Sequence, residues 1–150
     1  THVAHDCQIG DHIIMVNNAT LGGHVTVEEW AVIGGLSAVH QFVRIGKHAM
    51  IGGKTGVADD VIPYGSVIGN RARLSGLNII GLKRRDFSRD DIHNLRKAYR
   101  LIFAEEGTIS ERLQDVAEIF SDNQAVMEIV NFIQADSSRA TCQPKMEDAA

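Results

Sequence analysis

The sequence predicts a parallel β-helix that runs into a small α-helical subdomain, and three observations predict it. An aliphatic residue recurs at every sixth position from Val3 to Val57, through Ile9, Met15, Leu21, Val27, Ile33, Val39, Ile45 and Ile51. The residue four further on is aliphatic or small each time, from Cys7, Ile13 and Ala19 to Ser37, Thr55 and Val61. Two capping-box sequences, Ser88-Arg-Asp-Asp91 and Thr108-Ile-Ser-Glu111, then open apolar patterns stepping by three and four. A period of six suits neither a 3.6-residue helix nor a two-sided strand, but it suits a chain that turns a corner every six residues. Three hexads make one triangular coil, and coils stack as parallel strands about 4.8 Å apart.

Taken in order, residues 1–68 read as β-helix coils, 69–87 as a connector, 88–135 as the helical subdomain and 136–150 as a disordered tail. Thr1 and His2 already stand in phase with a preceding hexad, so the chain reads as the C-terminal part of a longer repeat protein. Gly10, Gly22, Gly34, Gly46 and Gly52 follow the aliphatic position, where a corner asks for positive φ or close backbone approach. Asp59-Asp60 and Pro63 end the strict pattern, because proline lacks a ladder N–H, and Val67-Ile68 add one irregular strand. Ile92, Leu95, Tyr99, Ile102 and Phe103 make the apolar face of a first helix that Gly107 stops. Leu113, Val116, Ala117 and Phe120 mark a second helix. Val126, Met127, Val130 and Ile133 mark a third, over 124–134.

The 15 basic and 19 acidic residues leave a net charge of −4, which attracts neither nucleic acid nor anionic membrane in general. No apolar run approaches the roughly 20 residues of a membrane span, and no charged-then-apolar signal opens the chain, so a cytoplasmic protein is expected. Cys7 at an inward position and Cys142 in the polar tail read as free thiols.

Histidines carry the chemical signal. Residues 18 apart lie on one face a coil apart, so His5, Gly23 and Gln41 form a column that His24 and His40 flank and His2 precedes. His12 and His48 lie 36 apart on another face, about 9.6 Å from each other by the strand spacing. A histidine beside an exposed glycine amide suits acyl transfer: the imidazole takes a hydroxyl proton and returns it to a leaving thiol, and the amide holds the oxyanion. Asp6 can orient His5 or hold substrate, provided a corner lets the neighbours meet. Zinc is the competing reading. Trimeric hexapeptide-repeat zinc hydratases place a second histidine about five positions after a first, and Ile45 stands five after His40.

The segments His2-Val-Ala-His5-Asp6-Cys7, Asn17-Asn-Ala-Thr-Leu-Gly-Gly-His24, Ile33-Gly-Gly-Leu-Ser-Ala-Val-His40-Gln41-Phe42 and Gly76-Leu-Asn78-Ile-Ile-Gly-Leu-Lys-Arg84-Arg85 closely resemble the acyl-carrier-protein-dependent UDP-N-acetylglucosamine O-acyltransferases of lipid A biosynthesis. The resemblance runs from Thr1 to near Gly107. It implies a left-handed coil, a homotrimer with sites between subunits, and transfer of a 3-hydroxyacyl chain from acyl carrier protein to the sugar 3-hydroxyl. It implies His5 as general base, Asp6 as its partner and Gly23 as oxyanion donor. It places His2, His24, His40 and Gln41 around sugar and thioester, Asn78, Arg84 and Arg85 on the uridine diphosphate, and Met50 and Gly53 where acyl length is measured. It implies no metal and no coenzyme A. Arg71 stands where the family has histidine, and Ile80 where an acidic residue occurs near the nucleotide. The rivals are a related acyltransferase with another donor or sugar, and a repeat scaffold without catalysis.

Overall fold

A computed structural model describes residues 1–136 and 138–145. Ten two-residue strands follow one another at six-residue spacing: β1 (His2–Val3), β2 (Gln8–Ile9), β3 (Ile14–Met15), β4 (Thr20–Leu21), β5 (Thr26–Val27), β6 (Val32–Ile33), β7 (Ala38–Val39), β8 (Arg44–Ile45), β9 (Met50–Ile51) and β10 (Gly56–Val57). Each of the first seven pairs in parallel with the strand 18 residues on, as His2 with Thr20 and Thr20 with Ala38, which builds the three faces of a left-handed prism. The inward row is fully buried at Leu21, Ile33, Ile45 and Ile51, and Ala19, Val25, Ser37, Val43 and Thr55 fill the space beside it. Val3 and Ile9 of the first coil are 46% and 42% exposed, because no coil of this chain stacks beneath them.

Positive φ falls at the corners, on Asp6, His12, Asn18, His24, Trp30, Leu36, Phe42, His48 and Lys54, and not on the glycines after the aliphatic position. Those glycines answer close approach instead. A Cβ on Gly22 would stand 2.7 Å from the Gln41 nitrogen of the next coil.

The last coil is shorter. Val61 bridges Ile45 and Val67 pairs Ile51, offsets of 16 rather than 18, and Gly46 lies against Pro63. Strand β11 (Gly65–Ile68) therefore completes a coil, and β12 (Arg73–Leu77) folds back antiparallel on it. The segment 69–87, expected as a connector, thus carries a strand and a helix, α1 (Ile79–Arg84), anchored by the buried Leu82.

Helices α2 (Arg89–Ile102), α3 (Ile109–Ile119) and α4 (Gln124–Ala135) follow, and both capping boxes form, Ser88 with Asp91 and Thr108 with Glu111. Helix α2 ends at Ile102, short of Gly107, and the Arg112 guanidinium donates to the Ile102 carbonyl, one of the acceptors left open at the helix end, and to those of Glu106 and Gly107 in the turn that follows. Ile92, Leu95, Ile102, Val116, Ile129 and Val130 continue the core of the prism.

The tail expected to be disordered is ordered over its described part. The Asp60 N–H donates to the Ala140 carbonyl, the Cys142 N–H to that of Asp60, and the Leu74 N–H to that of Gln143. The open edge of the short coil supplies backbone partners that a polar segment accepts without an apolar pattern, and Cys142 is buried there. Ser137 and residues 146–150, the rest of that expectation, lie outside the described residues. Both cysteines are free.

Candidate active site

The corner of Asp6, His24 and Phe42 gathers the candidate catalytic groups. Adjacent strand residues would point apart, but Asp6 has φ 59°, which swings its carboxylate back to the neighbouring imidazole. Asp6 Oδ2 lies 2.9 Å from His5 Nδ1 and 3.8 Å from His24 Nε2. The His5 hydrogen bond, then the His24 charge, holds the Asp6 carboxyl below the usual carboxylate range. His24 meets His5 edge-on at 5.1 Å between centroids and stacks flat on Phe42 at 4.7 Å. Gly23 is buried directly beneath the His5 ring, where a Cβ would fall 2.8 Å from Cε1 and Nε2. The expected exposed glycine is thus a buried one, and its missing Cβ is what seats the His5 ring. The Gly23 carbonyl accepts from Phe42, and its N–H has no partner among the described residues.

With Nδ1 taken by Asp6, His5 Nε2 has no partner among the described residues, and its side chain is 74% exposed. His5, Asp6 and His24 also offer three ligand atoms within 4.8 Å of one another. The 2.9 Å contact is hydrogen-bond geometry, so a cation there would have to displace the proton between His5 and Asp6. The other residues expected around this site stand beside it. His2 lies outward on β1, opposite Thr20, and His40 Nδ1 lies 3.1 Å from the Gln41 carbonyl. That carbonyl also receives the Arg139 guanidinium, which donates to Ala58 as well.

The next corner gathers the nucleotide candidates. Asn78, Arg84 and Arg85 line a hollow of about 580 Å³ with Trp30, Met50 and Ile80. The Asn78 side chain is committed at both ends, donating to the His48 carbonyl at 2.9 Å and accepting from the Gly81 N–H at 3.1 Å as the cap of α1. Arg84 is exposed. Arg85 is half-buried, with its guanidinium carbon 3.6 Å above the Trp30 ring centroid. His12, Trp30, His48 and Tyr64 stack in one ladder along this corner. Burial first, then the Arg85 charge, pushes the His48 pKa down. Ile80, where an acid was the expectation, is 67% exposed at the rim of the hollow.

Met50 and Gly53 are set differently. Met50 belongs to the Arg85 hollow, whereas Gly53 sits at the third corner, where a Cβ would meet only the Gly35 carbonyl at 3.4 Å. Arg71, with φ 74°, is exposed. Sequence reasoning passed over Trp30 and Phe42, although both fall in the 18-residue columns of His12 with His48 and of Asp6 with His24. It had no signal for Arg139.

The family model described as UDP N-acetylglucosamine O-acyltransferase, domain 2, matches residues 60–142. The acyl-[acyl-carrier-protein]–UDP-N-acetylglucosamine O-acyltransferase of Caulobacter vibrioides is 57% identical over 147 residues, 98% of this chain and 56% of its own length. Among solved structures, the Arabidopsis UDP-N-acetylglucosamine acyltransferase superposes with a TM-score of 0.88 at 41% identity, over 93% of this chain and 51% of that one. The Campylobacter jejuni UDP-N-acetylglucosamine acyltransferase does so at 0.87 and 34% identity, over 95% and 55%. The chain spans about half the length of the relatives it matches. The family match extends over more than half of the chain, and the chain belongs to the UDP-N-acetylglucosamine O-acyltransferase family.

Proposed function

We propose that this chain carries the catalytic corner of an enzyme that moves a 3-hydroxyacyl group from an acyl carrier protein thioester to the 3-hydroxyl of UDP-N-acetylglucosamine. The observation that carries the reading is the His5–Asp6 pair seated over Gly23. His5 Nε2 takes the proton of the sugar hydroxyl as its oxygen attacks the thioester carbonyl. The tetrahedral oxyanion forms near the Gly23 N–H, the C–S bond breaks, and the proton passes from His5 to the leaving thiolate. Asp6 holds the imidazole through Nδ1 and offsets its charge while it is protonated. The donor is the carrier-protein thioester, with no metal and no coenzyme A assigned. Such a donor suits the cytoplasm.

The assembly we propose is a homotrimer. His5 stands at one corner of the prism, over Gly23, and Arg85 at the next, over Trp30. In the trimer proposed, the substrate lies between the His5 corner of one copy and the Arg84–Arg85 segment of the next. His2, His24, His40 and Gln41 would then face sugar and thioester, Asn78, Arg84 and Arg85 the diphosphate end, and Met50 and Gly53 the acyl chain. Asn78 acts through its hold on α1 and His48 rather than through a free amide.

Incubating the whole protein with 3-hydroxyacyl carrier protein and UDP-N-acetylglucosamine tests this directly, with appearance of the O-acylated nucleotide sugar as the expected result. Strict dependence on a coenzyme A thioester, or no turnover with any acyl donor, would sink it.

A further inference from the structure

Two adjacent arginines, Arg84 and Arg85, differ in a way their sequence does not announce. Arg84 is exposed, while the Arg85 guanidinium lies over the Trp30 ring with its carbon 3.6 Å from the centroid. The indole is itself fixed from below by His12, nearly parallel at 3.9 Å, and its next neighbour above is His48, at 6.3 Å and 10°. His48 is wedged by Phe87 and Tyr64 and held through its carbonyl by Asn78. Arg85 belongs to the end of α1, where its backbone N–H reaches the Gly81 and Leu82 carbonyls, so main chain and side chain are both anchored.

The guanidinium face is occupied, but its edge is not. No carboxylate or carbonyl takes the Arg85 side-chain N–H groups among the described residues. Five coplanar donors in a fixed plane, opening on a hollow of about 580 Å³, make a fork suited to a phosphate oxyanion. An ion pair with a carboxylate would have used that edge. Stacking on an aromatic ring holds the side chain without using it.

We infer that Trp30 is a positioning residue for nucleotide binding: its ring holds the Arg85 guanidinium face-on so that the guanidinium edge is presented, preordered, to the diphosphate of the sugar nucleotide. The inference rests on the diphosphate role proposed for Arg85 above. It assigns Trp30 no contact with the reacting atoms. The effect is confined to binding, because an unstacked arginine must be ordered when the ligand arrives.

Trp30 is the single tryptophan of this sequence, so the emission of this 150-residue chain reports the contact without a label. In the whole protein, UDP binding followed by calorimetry should weaken roughly 3- to 30-fold in Trp30→Ala, the span of a cation–π contact. Trp30→Phe should recover most of the loss. KM for the sugar nucleotide should rise while kcat changes little, and in an Arg85→Ala background Trp30→Ala should cost nothing further. UDP should change the emission of the wild type but not that of Arg85→Ala. Additive losses in the double variant, or unchanged UDP affinity in Trp30→Ala while Arg85→Ala binds weakly, would overturn the positioning role and leave the diphosphate role of Arg85 standing. Unchanged affinity in Arg85→Ala, or no binding of UDP by the wild type, would overturn both. A Trp30→Ala variant that fails to fold leaves Trp30→Phe against Trp30→Leu as the same comparison.

Discussion

Two corners of one prism share backbone, spacing and residue type, yet they have become different instruments. His24 and His48 both sit at positive φ, 60° and 56°, in coils with the same strand register. At the first corner the imidazoles are exposed, face a carboxylate, and lie over a glycine that leaves room for a ring. At the second they are interleaved with Trp30 and Tyr64 and walled by Phe87 and α1. What decides is the neighbour in the column and not the histidine. A carboxylate and a glycine leave an imidazole nitrogen free and exposed, while flat rings above and below turn the same side chain into a shelf.

The sharpest way to break this comparison is His5→Ala in the whole protein, which should lower turnover about a hundredfold or more with the melting temperature almost unchanged. His12 is not the inert control its sequence position suggests, because it forms the underside of Trp30. Lys54, exposed at the third corner, serves instead, and Lys54→Ala should leave turnover as it is. A loss at Lys54 equal to that at His5 would erase the distinction between corners.

Next in size is Gly23→Ala. Its backbone is outside the left-handed region, so the fold should accept alanine, but the added methyl would meet the His5 ring at 2.8 Å and push it off the Asp6 bond. Turnover should fall by about tenfold or more with folding kept, and unchanged turnover would mean that His5 is not seated on this glycine.

The two corners also separate by pH. Burial first, and Arg85 second, lower the His48 pKa from 6.5, with Lys47 adding to the lowering and Glu29 and Glu128 opposing it. The unfolded chain then holds the extra proton first, so stability should decline as pH falls from 6.5 to the lower folded value, and then level off. Asp6 is depressed from 3.8 by the His5 bond and the His24 charge, so its stabilising bond is fully present above 3.8 and is lost as pH falls through the folded pKa, whereas the His48 window opens at 6.5. Thermal melts of wild type and His48→Gln between pH 7.5 and 5 check this. A slope that survives His48→Gln belongs to another group.

Much of this was legible because a six-residue period fixes the face of every side chain, so the inward row and the His5–Gly23–Gln41 column followed from counting. The capping boxes Ser88–Asp91 and Thr108–Glu111 were legible because their hydrogen bonds join residues three apart. Strand β12 and helix α1 were not, since neither has a pattern of its own and both exist through contacts with β11, Leu82 and Tyr64. The Arg85–Trp30 contact joins residues 55 positions apart, and no local rule reaches that far. The ordered tail was misread for a related reason: its order comes from backbone hydrogen bonds to Asp60 and Leu74, which composition does not encode.

Those tail bonds bear on how the molecule comes to be folded. Coils add one upon another through partners 18 residues apart, so each layer can form as soon as it is synthesised. Arg139 and Ala58, by contrast, are 81 residues apart, and the edge around Asp60 and Leu74 waits, unpaired, until the segment 138–145 has emerged. During that interval the growing prism presents bare N–H and carbonyl groups at its upper rim, which is the condition under which strands of different chains join. The last described residues act as a latch on biogenesis: their loss should show as aggregation during refolding, more than as a change in the activity of molecules that have already folded.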